Sequence, residues 1–383
     1  MTRHIDRAGR YVLQPQGYRA FIPAPLPPVP PIVTDDGLTT ALSNADRALG
    51  RLDGSIETLP DPELFLSMFV RKEAVLSSQI EGTQASLSDV VKAEAAVLDR
   101  ARPSDVREVQ NYIVSMREGV ALLDSLPIST RLISKLHGIL MRDVRGQHQL
   151  PGDIRTSQNW IGAAGCGLGN ALFVPPPHHA LSSCLGNLEN FIHDESRMPV
   201  LIKAGLIHGQ FETIHPFLDG NGRLGRLLIT LYLVEKKILS QPVLYLSYFF
   251  KENRQEYYQR LQAIRDAGDW EGWLLFFLNG VASVANLAAE TAKRVLRLRE
   301  EDRQLVINNF DRSASLPLRV LDRLYKLPVI QPNMVAREHA TTYQTANAII
   351  ATLERIGLLT EVTGQKRNRV YVYERYMALF NDI

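Results

Sequence analysis

Residues 215–226 read His215-Pro216-Phe217-Leu218-Asp219-Gly220-Asn221-Gly222-Arg223-Leu224-Gly225-Arg226. The stretch lies between two helical patterns. Before it, residues 199–211 are apolar at helical spacing. After it, Leu224, Leu227, Leu228, Leu231 and Val234 form one apolar stripe, which predicts a helix from about Arg223 to Lys237. The glycines therefore occupy a loop that opens a helix. Free amides at a helix N-terminus, together with the positive end of the helix dipole, bind phosphate oxygens, and Gly220 and Gly222 let backbone approach an anion with no Cβ in the way. Arg223 and Arg226 stand three apart at the helix start, and guanidinium forks suit phosphates. Asp219 offers a hard oxygen of the kind Mg²⁺ takes when substrate phosphates share it. His215 can accept a proton near neutral pH. One base, one metal ligand and an anion nest suffice for phosphoryl chemistry.

Working outward, Pro62 stands in the first turn of a helix that Asp61 would cap, and Leu64, Phe65, Met68, Phe69, Leu76 and Ile80 recur at helical spacing until Gly82. Helical periodicity returns over 106–123 and 129–141, whereas 151–177 is rich in Gly and Pro. Residues 21–31, FIPAPLPPVPP, hold six prolines and read as an extended strap. Helix resumes from Arg254 to Ala292 and ends in the charge-dense KRVLRLREEDRQ, with a domain boundary expected near 305. From Leu316 come helices to Leu327, around 333–339 and over 342–356. Gly364-Gln365 then separates two strand-like runs, LLTEV and RVYVY. Three helices and a hairpin make a winged-helix pattern. The fold class is mainly α: residues 1–125 an N-terminal region with a helix at about 62–82, 126–300 the central helical body and following helices, and 305–383 the winged-helix unit.

Composition narrows the function. Lys and Arg number 43 against 41 Asp and Glu, so overall charge announces neither a nucleic acid nor an anionic membrane as partner. Cys166 and Cys184 are the two cysteines and lack the paired spacing of a zinc site, so a reducing cytoplasm fits best. The first sixteen residues carry no apolar stretch behind their basic ones and do not read as a secretory signal. The uncharged run Trp273 to Ala289 is interrupted by polar residues and reads as a buried helix.

The segment 215–226 matches HPFx(D/E)GNGRxxR at every fixed position, and the chain thereby resembles the Fic family. The resemblance implies an all-helical core with a small β-hairpin flap and, with ATP and Mg²⁺, transfer of AMP to a Ser, Thr or Tyr hydroxyl of a target protein or of the chain itself. On matching positions it makes His215 the general base and Asp219 the metal ligand. Gly220, Asn221, Gly222, Arg223, Leu224, Gly225 and Arg226 become the phosphate-binding set, the two arginines holding the outer phosphates. Ser77-Ser78-Gln79-Ile80-Glu81-Gly82 fits the family's inhibitory pattern (S/T)xxxE(G/N), in which Ser77 and Glu81 share a helix face and Glu81 would pair with Arg226. Residues 151–162 and 173–177 resemble the flap, whose edge would pair with the target's main chain through Ile154, Thr156, Asn159, Phe173 and Val174. Tyr258, in Glu256-Tyr257-Tyr258-Gln259, would set a ring on the adenine.

Rival readings keep some of these residues. With the same fold, Glu81 could orient water to remove AMP from a modified protein, or the group moved could be another nucleotide such as UMP. From a different class, Thr341 to Asn347 could open a DNA-recognition helix with Lys366, Arg367 and Arg369 in the wing, making 305–383 a DNA-binding regulator. Winged helices also serve as dimer surfaces, so a homodimer is allowed. No membrane partner is expected.

Overall fold

The computed structural model describes residues 5–57, 62–95, 103–144, 150–162, 165–310 and 313–381. A one-turn helix α1 (Ile5–Ala8) leads into a hairpin, β1 (Gly9–Leu13) and β2 (Arg19–Pro23), with Tyr11 opposite Phe21. Helices α2 (Asp36–Glu57), α3 (Pro62–Ile80), α4 (Leu87–Glu94), α5 (Pro103–Leu122) and α6 (Thr130–Leu140) follow. After the Gly-rich segment come α7 (Leu181–His193), α8 (Val200–Ile214), α9 (Asn221–Glu235), α10 (Ser247–Glu252), α11 (Arg254–Ala267) and α12 (Trp270–Phe310). The chain closes with α13 (Ser315–Lys326), β3 (Val329–Ile330), α14 (Pro332–Glu338), α15 (Tyr343–Arg355), β4 (Thr360–Glu361), β5 (Tyr371–Val372) and α16 (Glu374–Asn381).

The body is mainly helical, as the periodicity predicts, and α8 and α9 form its centre. Every residue of α8 from Leu201 to Ile214 is buried, and so are Leu224 to Leu233 of α9. A helix buried on every face must be enclosed on all sides, and the polar Lys203, His208, Gln210 and Glu212 of α8 are enclosed with its apolar residues. The neighbours α5, α6, α7, α11 and α12 supply that enclosure, and the loop 215–220 joins the two central helices at one end of the core. Close approach is built in at Gly205, where a Cβ would stand 2.8 Å from Leu274 Cδ2, and Trp273 Nε1 donates to the Gly205 carbonyl at 2.8 Å. Helix α12 has the length and apolarity of a membrane span, but Trp273, Leu274, Phe277 and Val281 are buried within the helical core. It continues unbroken through residue 305, where the boundary is expected, to Phe310.

Two further differences from the sequence reading have local causes. The Pro-rich strap begins as a strand, because Phe21 and Ile22 precede most of its prolines and pair with β1. Asp61, the expected cap of α3, lies outside the described residues. In the C-terminal unit the sheet has the order β3-β5-β4, all antiparallel, and β4 and β5 are only two residues each. The backbone bond from Val362 N–H to Val370 O closes the hairpin beyond them. Strand β3, Val329-Ile330, is too short to show any alternation.

Candidate active site

Helix α8 stops at His215, which sits in the left-handed region at φ 49° and donates its amide to the Phe211 carbonyl. A non-glycine residue at positive φ is uncommon, and here the turn presents the imidazole at the mouth of a cleft. The loop that follows is held from within. Asn221 accepts the Phe217 N–H at 2.9 Å and donates back to the Phe217 carbonyl at 2.8 Å. Asp219 Oδ1 accepts the Gly220 N–H at 2.6 Å. Gly220, the N-cap of α9, has φ 76°, and a Cβ there would meet Met141 Sδ at 2.8 Å. Both facts require glycine.

These residues line a cleft of about 480 Å³ with His215, Asp219, Gly220, Asn221, Gly222, Arg226 and Tyr258 in its wall, facing Glu81 and the flap residues Trp160, Ile161 and Leu172. Arg226 is the best anchored. Its Nε donates to Ser77 Oγ at 2.9 Å, and its Nη2 donates to the Ser77 carbonyl at 2.9 Å and to Glu81 Oε1 at 2.7 Å. The expected pair between Glu81 and Arg226 of α9 is therefore formed, with Ser77 as a second partner of the arginine. Gly222 makes room for it, since a Cβ there would lie 2.3 Å from Glu81 Oε1. Burial would push Glu81 up, but Arg226, with help from Arg223 and His215, outweighs it and holds the carboxyl below its usual range.

Arg223, Leu224 and Gly225 do not line this cleft. Successive helical residues point about 100° apart, so Gly222 and Arg226, four apart, share the cleft face while Arg223 turns aside. Its Nη1 reaches Glu108 Oε2 at 3.4 Å and its Nη2 faces Met141 Sδ. Leu224 is core, and Gly225 packs against Glu212, whose Oε1 would be 2.4 Å from a Cβ.

The flap is a single antiparallel bridge between Ile161 and Phe173. Two of its expected docking residues are covered. Phe173 and Val174 are buried, the Val174 carbonyl accepts the Phe21 N–H at 2.9 Å, and the Phe21 and Phe173 rings lie 5.8 Å apart. The N-terminal hairpin thus occupies that edge, leaving the side of Trp160 to Gly162 toward the cleft. Asn159 is structural, its Nδ2 donating to the His215 and Phe217 carbonyls. Ile154 is half-buried and Thr156 exposed.

Residues distant in sequence complete the site. His137 on α6 accepts the Gly152 N–H at Nδ1 (2.8 Å), so its Nε2 carries the proton and donates to the Asp219 carbonyl at 3.0 Å. Its ring stacks on Phe217 at 3.8 Å, and burial pushes it down to about 4. One neutral imidazole thereby ties the start of the flap segment to the anion loop. Arg155 does similar work from the flap, donating to the His215, Ser157 and Pro176 carbonyls. Arg265 caps the Glu212 carbonyl and lies 3.9 Å over the Phe173 ring. Arg254 lies over Tyr258. Burial first, then Arg265 and Arg155, push the His215 imidazole down to about 3, so it is neutral at pH 7. Burial raises Glu212, in the cleft wall, to about 7, and Arg226 opposes that rise.

Among the described residues no group of three or more His, Cys, Asp or Glu could hold a metal ion. Asp219, a half-exposed carboxylate 3.9 Å from Arg223 Nη2, suits an ion that arrives with phosphates.

Residues 39–121 match the Fic/DOC family N-terminal region and residues 127–233 the Fic/DOC family domain. The chain thus carries, over these two stretches, the N-terminal region and the domain of the Fic/DOC family. It is 27% identical over 211 residues to a protein of Aquifex aeolicus named as a probable protein adenylyltransferase, covering 54% of this chain and 57% of that one. It is 31% identical over 203 residues to protein adenylyltransferase fic-1 of Caenorhabditis briggsae, covering 50% of this chain and 35% of that one. The chain therefore spans just over half the length of the first relative and about a third of the second. A solved Fic family protein from Desulfovibrio desulfuricans superimposes with a TM-score of 0.58 over 90% of this chain and 97% of that one, at 17% identity. A Fic-domain signaling protein from Bacteroides thetaiotaomicron gives 0.52 over 66% and 97%, at 18% identity. At such identities the two structures speak for the fold.

Proposed function

We propose that this protein transfers AMP from ATP to a hydroxyl side chain of a protein, and that Glu81 holds it in an inhibited state. The observation that carries the reading is the Glu81–Arg226 pair, which closes over the N-terminus of α9 in the same cleft as His215. A buried guanidinium beside an amide-lined helix start is a site for phosphate oxygens, and a carboxylate already seated there competes for it.

In this reaction the amides at the start of α9 and Arg226 hold the triphosphate so that the α-phosphorus faces the acceptor hydroxyl. The neutral His215 takes the hydroxyl proton as the new O–P bond forms, and the bond from the α-phosphorus to the bridging oxygen breaks to release pyrophosphate. The phosphates bring negative charge beside His215 and raise its affinity for that proton. Asp219 would hold Mg²⁺, whose chemistry is to neutralise phosphate charge. Tyr258, with Arg254 against its ring, offers a face for the adenine. The open side of the flap at Trp160 to Gly162 would take the target's extended main chain. Positioning and charge neutralisation account for the catalysis, with no covalent intermediate. We read residues 313–381, from their helix–strand–helix–helix–strand–strand order, as a winged helix.

The test is incorporation of label from α-labelled ATP with Mg²⁺, alone and with cell lysate, by wild type, Glu81→Gly and Glu81→Gly/His215→Ala. Weak, strong and absent labelling in that order supports the proposal. Absence of labelling by Glu81→Gly with each of the four nucleotides overturns it.

A further inference from the structure

Helix α3 carries Glu81 just beyond its C-terminal end, and the stretch from its second turn to its middle is bound to the C-terminal unit. Two helix ends of that unit rest on side chains of α3. The carbonyl of Lys326, the last residue of α13, accepts Ser67 Oγ and Arg71 Nη1, each at 3.0 Å. The carbonyl of Phe380, in the last turn of α16, accepts Lys72 Nζ at 2.6 Å. The last carbonyls of a helix have no partner within it and form the negative end of its dipole, so α13 and α16 are capped from outside by cations of α3. Arg71 is itself fixed by a two-pronged pair with Glu94. Lys72 is buried, and burial pushes its amine down to about 8.

One stripe of α3 connects this anchorage to the active site. Phe69, Glu73, Ser77 and Glu81 recur every four residues and so lie along one side of the helix. Phe69 packs edge-on to Phe380, 5.3 Å between centroids. Glu73 accepts the Ser247 N–H and hydroxyl and the Tyr112 hydroxyl. Ser77 and Glu81 bind Arg226. A 19-residue helix spans about 28 Å, and a packed helix moves as a body more readily than it stretches.

We propose that the C-terminal unit sets the strength of inhibition: by seating α13 and α16 on Ser67, Arg71 and Lys72 it holds α3 in the register at which Glu81 closes on Arg226. An event that shifts this unit therefore loosens Glu81 without touching the cleft. The inference rests on the inhibitory role of Glu81 proposed above.

Lys72→Met tests it in the full-length chain, since the variant keeps the length of the side chain and removes the cap on α16. Label transfer from α-labelled ATP should rise by roughly tenfold in the wild-type background, equivalent to about 1.4 kcal/mol, and change less than about twofold in the Glu81→Gly background. The second arm does not depend on catalysis. Amide hydrogen exchange of residues 74–81 should accelerate in Lys72→Met, and more weakly in the milder Ser67→Ala. Unchanged exchange in both variants, or a fall in transfer in both backgrounds, overturns the proposal. If Glu81→Gly itself transfers nothing, the proposed reaction fails, and the exchange arm still decides whether the C-terminal unit holds α3.

Discussion

Replacing Glu81 by glycine removes one partner of an ion pair whose other partner cannot leave. The Arg226 side chain is 2% exposed and that of Glu81 36%, with 2.7 Å between Nη2 and Oε1. A hydrogen bond between charged groups contributes about 1.5–3 kcal/mol. Water reaches a third of the carboxylate, which weakens the pair toward the lower end of that range. If that free energy holds the cleft closed to productive ATP, its loss raises transfer by roughly 10- to 40-fold. Arg226 keeps its two bonds to Ser77, so the arginine stays aimed at the cleft in the variant. The assay is the initial rate of label incorporation from α-labelled ATP at fixed Mg²⁺. Glu81→Gln, which retains a neutral acceptor for Arg226, should fall between wild type and Glu81→Gly. Should Glu81→Gly transfer at the wild-type rate while His215→Ala abolishes its activity, the chemistry stands and the inhibitory role assigned to the pair is refuted.

Three other perturbations follow from the geometry. His137→Phe keeps the stacking on Phe217 but loses both hydrogen bonds, so transfer in the Glu81→Gly background should drop roughly 10- to 100-fold from a displaced anion loop, with His137→Asn recovering part through its bond to Gly152; equal rates in all three refute the bridging role. Arg155→Ala leaves the Ser157 and Pro176 carbonyls without this donor and the His215 carbonyl with Asn159 alone, and should destabilise the protein by about 2–4 kcal/mol, read from denaturant unfolding. Burial raises the fully enclosed Glu73 from 4.5 to about 7, against its bonds to Ser247. Its neutral form therefore favours the folded state fully below pH 4.5, and that contribution is lost as pH rises through 7, about 3 kcal/mol in all. Thermal melts from pH 5 to 8 should show Glu73→Gln gaining on wild type, and parallel profiles would refute the shift.

The parts legible in the sequence are those whose geometry is local. His215 to Asn221 is one loop, and its glycines, its asparagine lock and the helix it opens are consequences of neighbouring residues. Ser77 and Glu81 are likewise one helical turn apart. The pairing of Glu81 with Arg226 came from resemblance, because nothing within either segment states that α3 crosses α9. Arg223 shows where spacing misleads: residues three and four apart are both near neighbours on a helix, and only the fourth, counted from Gly222, reaches the cleft. The covering of two flap residues is hidden from the sequence for a different reason. Phe173 and Val174 have the character of an open strand edge, yet their partner, Phe21, lies some 150 residues earlier in a segment dominated by proline. His137 and Arg265 carry no local signal, since a histidine or an arginine on an apolar helix is ordinary until the fold brings it to the loop.

Arg226 also constrains how the proposed inhibited state would open. Its guanidinium is buried, and Glu81 holds it firmly charged against the pull of burial. Leaving such a charge without its counter-ion costs far more than the pair contributes when intact. Glu81 is therefore not expected to swing out and wait. Either the phosphates of an arriving nucleotide replace it as counter-ion, or α3 shifts while water and Ser77 solvate the arginine. The first route makes inhibition competitive with ATP, so the wild type should retain a slow transfer that grows with nucleotide concentration. The second makes it depend on whatever holds α3, and the caps that Ser67, Arg71 and Lys72 place on α13 and α16 are the part of that hold farthest from the cleft. Under the proposed inhibition both routes are open, because each acts on the one ion pair at Arg226.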